Sequence, residues 1–577
     1  MTVQRRSRVL PLAEAIRAFV HPGDTIHAAY NDARPNAALM EVLRRFRGES
    51  PGLTLVTAGL VSPQHALVHN GVVTRLITSF AGENYPKPRP NRIFQAAVQN
   101  GRVTVENWSL LSLTTRLMAG ALGLPYMPVR SLAGSGLAAD LQSDYREVDD
   151  PFGSGSRTGV VSALRPDVVL LQGVVADASG NVVLGAPFGE GAWGALAARR
   201  GVIACVERIV STDEIRAHSA LVKIPAHVVL AVCEVPFGSH PYGLYNPGFP
   251  GVDGYIQDDA FMTDVLTASR TPAAFDAWTA EWIAGTRDHA EYLAKIGSTR
   301  LDDLAHAARP GGWRDGVPTS SRAGQKQYTG NEYLIVTAAR EIRRRVESDA
   351  HDAILAGVGH ANLASWLAVD ALQDAGLAVE LMAEIGIFGY RPQPGEPYIF
   401  SHRNLPTCTL TTDVMTVLGA FVGGPSTRSL GVIGAGYVDQ DANSNSTWAE
   451  NGGFLLGSGG ANDIASAADE LLVMLAHERS RLLQRLSYVT SPGSRVRTIV
   501  TSAGVFHKHA RELVLTRYLP LAGEGRDAAL DRIAASCPWP FAVTSEVAPE
   551  PPPSREELDR LRSYDPKHLF LGSELVG

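Results

Sequence analysis

Cysteine is scarce in this chain: Cys205, Cys233, Cys408 and Cys537 are the only four among 577 residues, and no Cys-x-x-Cys pair occurs. That excludes a disulfide scaffold and a cysteine-cluster zinc site, and it fits a reducing compartment. Long apolar runs are also missing, since none approaches the roughly 20 residues that cross a bilayer. Near the start, "MTVQRRSRVLPLAEAIRAFV" lacks a signal-like apolar core because Arg17 interrupts it, and the segment reads as an amphipathic helix. Charge of one sign is missing too: 52 Lys+Arg stand against 59 Asp+Glu, a net −7 spread along the chain. Neither nucleic acid nor an anionic membrane surface is expected as a partner. These absences predict a cytoplasmic protein.

What is present is ordinary globular composition, 45% hydrophobic and 19% charged, in a chain long enough for two to four domains of about 100–250 residues. Short β-branched runs alternate with Ala- and Leu-rich segments. "RPDVVLLQGVV" (165–175), "AHVVLAVCEV" (226–235) and "HDAILAGVG" (351–359) read as buried strands, apolar without alternation because both sheet faces are covered. "NEYLIVTAAREIRRRV" (331–346) and "NDIASAADELLVMLAHERS" (462–480) read as amphipathic helices, the second with Asn462 and Asp463 as N-cap and first turn. The pattern predicts an α/β architecture. Residues 308–330, "ARPGGWRDGVPTSSRAGQKQYTG", carry no periodicity and read as a linker.

The halves on either side echo each other. "VADASGNV" (175–182) and "YVDQDANSN" (437–445) each follow a strand and place Asp177 and Asn181 on Asp439 and Asn443. "GDTIHAAYNDARPNAAL" (23–39) parallels "HDAILAGVGHANLASWL" (351–367) as strand, turn and helix. A duplicated module of this kind often binds its ligand at the seam.

Two segments of the second half carry chemistry. In "AVELMAEIGIFGY" (378–390), Glu384 stands among apolar neighbours at a strand end. A carboxylate there has a raised pKa, suited to a nucleophile or base or else to a structural network. In "GFLLGSGGANDIASAADE" (453–470), Gly457, Ser458, Gly459, Gly460 and Ala461 enter a helix at Asn462. Such a segment lets backbone approach a ligand and offers N–H groups to an oxyanion; it matches neither a Walker loop nor a dinucleotide fingerprint.

With these segments in order, the chain resembles the class I coenzyme A transferases, most closely the glutaconate type with paired α and β subunits. "GDTIHAAY", "ENYPKPRPNRIFQAAVQNGRVTVENWS", "ALGLPYMPVRSLAGSGL" and "EVPFGSHPYG" look like the α partner of such a pair, and "YTGNEYLIVTAARE", "GVGHAN", "LMAEIGIFGY", "VDQDANSNST" and "GSGGANDIASAADE" like the β partner. The resemblance implies two tandem open α/β domains of the NagB/RpiA/CoA-transferase kind. Residues 1–307 form the α-like domain, 308–327 the linker and 328–577 the β-like domain. It also implies a homodimer, no bound cofactor or metal, and acyl-CoA plus a carboxylic acid as substrates, with coenzyme A as co-substrate.

The resemblance assigns roles residue by residue. The family's nucleophilic glutamate, usually in Ser-Glu-Asn-Gly, falls on Glu384 in Ala383-Glu384-Ile385-Gly386; a literal Glu450-Asn451-Gly452 lies in a connecting stretch and is set aside. Oxyanion or CoA contacts fall on Gly457, Gly459, Gly460, Ala461 and Asn462. Substrate contacts fall on Arg130, Ser131, His360, Ala28 and Ala29, the last two standing where the family has Gly-Gly before Phe. Arg116 reads as a salt bridge, Tyr242, Tyr245 and Phe249 as loop packing, and His507-Lys508-His509 as a solvated strand face. Relatives that open a steroid ring imply a competing role for Glu106, in "VENWS", as base of an acyl-CoA hydrolase or C–C lyase. A catalytically silent CoA-thioester-binding protein is the third reading.

Overall fold

The protein is described by a computed structural model that covers residues 7–30, 33–510 and 512–576, apart from the Asp315 side chain. Two large sheets divide the chain. The first has nine strands, in the order Val222–Ile224, Val182–Leu184, Val168–Asp177, Thr25–Ala28, Leu53–Leu60, Val73–Ala81 and Thr104–Asn107, with Gly201–Val210 and Val229–Glu234 paired beyond Val168–Asp177. The second has ten, and its parallel centre runs Glu380–Ala383, Ala353–Ala356, Ser429–Gly434, Glu470–Leu475 and Val496–Thr501. Every residue of Val168–Asp177 is buried, as its unbroken apolar run requires between two covering layers.

The topology places a site. In each half the first strand is the switch strand. The chain leaves Thr25–Ala28 outward through Leu53–Leu60 and Val73–Ala81, then returns to pair Val168–Asp177 on its other side. Likewise Ala353–Ala356 pairs Glu380–Ala383 on one side and Ser429–Gly434 on the other. Crevices open at the carboxyl ends of strands at such points, and here the two face each other.

The repeat seen in the sequence is real in three dimensions. Asp177 Oδ1 accepts the N–H groups of Ser179, Gly180 and Asn181, and its Oδ2 accepts Asn181 Nδ2 at 2.8 Å. Asp439 Oδ1 accepts those of Asp441 and Asn443, and its Oδ2 accepts Asn443 Nδ2 at 3.1 Å. Each acid thus closes the same side-chain-capped turn after a strand. The strand–helix pairs Thr25–Ala28/Asn36–Arg45 and Ala353–Ala356/His360–Asp374 correspond in the same way.

One expectation needs correction. The helix expected over 462–480 spans only Ala461–Ala467, capped by Gly460, and Glu470–Leu475 is a fully buried parallel strand. Leu471 to Leu475 is a continuous apolar run that satisfies strand and helix patterns alike, and a slot between two strands decided it. The segment expected as a linker holds one short helical turn, Gly312–Gly316, and is tied down by the last helix. The Arg562 side chain, buried on the C-terminal helix Arg555–Tyr564, donates to the carbonyls of Arg322, Gln325 and Gln327 and to Glu332 Oε1 at 2.8 Å. Arg562→Met should therefore cost about 3–5 kcal/mol, because it takes the shortest charged donor from the buried Glu332 carboxylate and one donor from each of three carbonyls; urea denaturation of the full chain measures it.

Candidate active site

Glu384 stands one residue past the strand Glu380–Ala383. Gly386 turns the chain there with φ +116°, and a Cβ at that position would overlap the Thr412 carbonyl. Its N–H donates to Ala383 O at 3.1 Å, closing the turn that projects Glu384. The other half braces the turn: Gly189 N–H donates to Ile385 O at 3.0 Å, and Val414 N–H returns to Gly189 O at 3.1 Å.

The glycine segment faces it from a seam stitched by main chain. Gly457 makes an antiparallel bridge with Phe80, Ala81 N–H donates to Leu456 O at 2.8 Å, Gly459 N–H to Ser79 O at 2.8 Å, and Leu110 N–H to Gly459 O at 2.9 Å. Asn107 clamps the same edge, donating Nδ2 to Ser79 O at 3.1 Å and accepting Ser458 N–H at 3.2 Å. At position 460 a Cβ would overlap Glu384 Oε2, so only glycine lets the backbone come close enough for its N–H to donate to the carboxylate.

Burial pushes the Glu384 carboxyl up to about 7, the nearby Asp463 charge pushes the same way, and the Gly460 hydrogen bond opposes both. Asp463 is itself buried, which raises it to about 6 against the bonds it accepts from Leu111 N–H at 2.9 Å and Ser131 Oγ at 2.5 Å. The arrangement holds a desolvated carboxylate near neutrality, a reactive state for a nucleophile.

A cleft of about 180 Å³ opens over Glu384, lined by Tyr30, Arg34, Ser79, Phe80 and Asn84 from the first half and Val358, Phe400 and Ser458 to Ala461 from the second. Most of its wall is apolar, which limits water around the Glu384 carboxyl. Tyr30, the first residue clear of the sheet edge, is held from behind: Glu190 Oε1 accepts Tyr30 N–H at 3.0 Å and lies 3.1 Å from His27 Nε2, with both side chains fully buried.

Of the residues expected at the site, Glu384, Gly457, Gly459, Gly460 and Ala461 come together on the cleft. Their amides differ from expectation. Those of Gly457, Gly459 and Ala461 are spent on Ser446 O, Ser79 O and Ser458 O, and Gly460 alone serves Glu384. Asn462 is a brace between loops, accepting Leu132 N–H and donating to Thr490 O, each at 2.8 Å. Ser131 is engaged by Asp463 and Arg130 is exposed. His360 bonds Phe570 O at 3.1 Å, off the cleft wall. Ala28 and Ala29 are buried in the sheet, where Ala29 N–H donates to Leu170 O.

Glu106 also departs from expectation. Strand alternation turns Asn107 to the seam and Glu106 away from it; its oxygens accept from Arg75 Nη2 at 2.5 Å, Trp108 Nε1 at 2.8 Å and Arg116 Nη1 at 2.9 Å. A carboxylate so engaged is an ion-pair hub, and it lies outside the cleft lining. Arg116 is the salt-bridge residue expected of it, joining Glu106 to Asp144. His507 reaches Glu341 at 2.7 Å instead of facing solvent freely. Among the described residues one cluster has metal-like spacing, Asp349, His351 and Glu470; Arg345 already donates to both Glu470 oxygens at 2.6 Å and lies 3.1 Å from Asp349.

Reading the sequence alone missed Tyr30, Arg34, Asn84, Asn107, Val358 and Phe400. A signal for two of them exists, because Tyr30 and Val358 stand two residues beyond a switch strand.

A family model described as Coenzyme A transferase matches residues 9–234. One of the subunits of the glutaconate CoA-transferase of Acidaminococcus fermentans is 31% identical over 318 residues, 52% of this chain and 94% of that one. The corresponding subunit of the 3-oxoadipate CoA-transferase of Pseudomonas knackmussii is 32% identical over 294 residues, 50% and 98% of the two chains. Over nearly the full length, the fold is that of the acyl-CoA transferase YdiF of Escherichia coli O157:H7, solved as a thioester complex with CoA: the TM-score is 0.65 at 14% identity, covering 96% of each chain.

Two outcomes follow from the site's electrostatics. The folded state keeps a proton on Glu384 that the unfolded chain, with its carboxyl at 4.5, releases, so stability falls as pH rises from 4.5 towards 7. Glu384→Gln should accordingly be more stable than the parent by about 2 kcal/mol at pH 8, with the difference gone below pH 4.5, read from Tm against pH. Glu106→Gln should lose about 2 kcal/mol of stability by weakening the buried Arg116 pairing, yet keep turnover within about threefold below its melting range.

Proposed function

The chain belongs to the coenzyme A transferase family, and from that premise we propose that it moves CoA between an acyl-CoA and a carboxylic acid, with Glu384 as covalent carrier. Residues 1–307 stand for one member of the family's subunit pair, 328–577 for the other, joined through 308–327, and the fused chain assembles as a homodimer. Coenzyme A enters as co-substrate. The single observation that carries the reading is the desolvated Glu384 carboxylate held by Gly460 N–H across from an apolar cleft wall.

The chemistry runs through that carboxylate. An oxygen of Glu384 attacks the thioester carbonyl; the new C–O bond forms, the C–S bond breaks and CoA leaves as thiolate, giving an acyl-glutamyl anhydride. The thiolate then attacks the glutamyl carbonyl, forming a C–S bond and releasing the donor acid as carboxylate. The acceptor carboxylate reverses both steps on the glutamyl-CoA thioester. When the glutamyl carbon becomes tetrahedral its oxygen carries the negative charge, and the Gly460 amide is its donor. For the substrate's own oxyanion the donor is the Ser458 hydroxyl, buried on the cleft wall and without a hydrogen-bond partner among the described residues. Energy stored in either intermediate survives only if water is kept away, which the Phe80, Val358 and Phe400 walls support.

Incubation with an acyl-CoA followed by hydroxylamine or borohydride should modify Glu384, located by peptide mass spectrometry. Glu384→Ala should lower exchange of labelled acid into acyl-CoA by about 1,000-fold or more. Turnover of acyl-CoA with no adduct at Glu384 would overturn the reading.

A further inference from the structure

Two loops answer each other across the seam. In the second half, Gly459 (φ +50°) and Gly460 (φ −87°, ψ 0°) lead into the helix Ala461–Ala467; in the first, Gly189 (φ +54°) and Glu190 (φ −108°, ψ 0°) lead into Gly191–Ala197. Their main-chain contacts match as well. Gly459 N–H donates to Ser79 O and Gly459 O accepts Leu110 N–H, while Gly189 N–H donates to Ile385 O and Gly189 O accepts Val414 N–H. Each half lends the other one loop, and Glu190 is the first half's counterpart of Gly460.

An acid at that point is costly to bury unless bonds hold it. The side chains of Glu190 and His27 are both fully buried. Glu190 Oε1 accepts Tyr30 N–H at 3.0 Å and lies 3.1 Å from His27 Nε2, and Glu190 N–H donates to Tyr30 O at 3.1 Å. Both main-chain polar groups of Tyr30 therefore end on one residue. His27 is held in turn, because a Cβ at Gly194 would overlap its ring. The other polar atoms of the two side chains, Glu190 Oε2 and His27 Nδ1, have no hydrogen-bond partner among the described residues.

The preceding residue fixes the opposite wall. Gly189 makes a parallel bridge with Asp413, and its N–H holds the carbonyl of Ile385, next to Glu384. Phe188 N–H adds a bond to Thr412 O at 2.8 Å, and Trp193 Nε1 adds one to Asp413 Oδ2 at 3.1 Å. Tyr30 and Glu384, which both line the cleft, are thus joined through two consecutive residues.

We propose that Glu190 is a positioning residue for Glu384: with His27 it locks Tyr30 onto the Gly189–Glu190 pair, and so sets the width of the cleft in which the carboxylate meets the thioester. The assignment rests on the transferase reading above. It adds a group that lies outside the cleft lining and acts on the nucleophile only through main chain.

The test uses the full chain and its Glu190→Ala and Glu190→Gln variants, with acetyl-CoA and glutaryl-CoA as donors, below the melting range of all three proteins. Glu190→Ala should slow single-turnover formation of the Glu384 adduct by about 100-fold, the effect of misplacing a reacting group by about 1 Å, with KM within about threefold. Glu190→Gln keeps an acceptor oxygen for Tyr30 and should recover most of that rate. A pH profile gives a readout that loss of folded protein would not move. Adduct formation needs ionised Glu384, so the parent's rate should rise through about pH 7; once the turn shifts and water reaches the carboxyl, the midpoint in Glu190→Ala should fall towards 4.5. Without any substrate, deuterium exchange at the Tyr30 and Gly189 amides should quicken about tenfold or more in Glu190→Ala and stay unchanged in the distant strand Val496–Thr501. If Glu190→Ala does not fold, Glu190→Asp takes its place, still charged but one methylene short of Tyr30. Parental adduct rate, midpoint and exchange in the variant that lacks the reach overturn the role of Glu190. Equal losses in Glu190→Ala and Glu190→Gln do the same. Turnover by the parent with no Glu384 adduct overturns the transferase reading and this assignment with it.

Discussion

One close approach organises the molecule: the backbone of Gly460 against the carboxylate of Glu384. Glu384 follows a strand of the second sheet and Gly460 immediately precedes the helix Ala461–Ala467, and each segment is held in place by the first half of the chain. Gly189 fixes the turn carrying Glu384, and Ser79, Phe80 and Leu110 fix the glycine segment. Moving either half by an ångström would leave the carboxylate desolvated with its hydrogen bond broken, the costliest state for a buried charge. The seam between the halves is therefore part of the site.

The same seam explains the buried acids. Asp463 caps backbone in the first half and at the same time raises the pKa of Glu384 through space. A side chain that ties two domains together thus also tunes the group between them. Its neighbour Asn462 braces two further loops. Polar residues at the start of a seven-residue helix, which look like a cap or an anion site in sequence, are spent on joining the halves.

Duplication supplies the geometry. Two open sheets with the same switch-strand arrangement face each other, so loops after four or more strands converge on one cleft. The two halves contribute different chemistry to it: the first brings Tyr30 and Arg34, a cation between aromatic rings, and the second brings the acid and the glycine segment.

Much of this was written in the chain itself. Strands such as Val168–Asp177 and helices such as Gly330–Asp349 follow from local periodicity, the Asp177 and Asp439 turns from a repeated short motif, and Glu384 with its following glycine from an acid stranded among apolar residues. These are properties of neighbours along the sequence, where sterics and hydrophobic pattern act over a few residues. Tertiary structure alone decided the rest. It made Leu471–Leu475 a strand, turned Glu106 into an ion-pair hub while aiming Asn107 at the seam, occupied the amides of Gly457, Gly459 and Ala461, and brought Arg34 to the cleft between two tyrosines more than two hundred residues apart. Whether an amide is free, a charge paired or a side chain enclosed depends on what packs against it from elsewhere, and those partners lie too far along the chain for any local pattern to name.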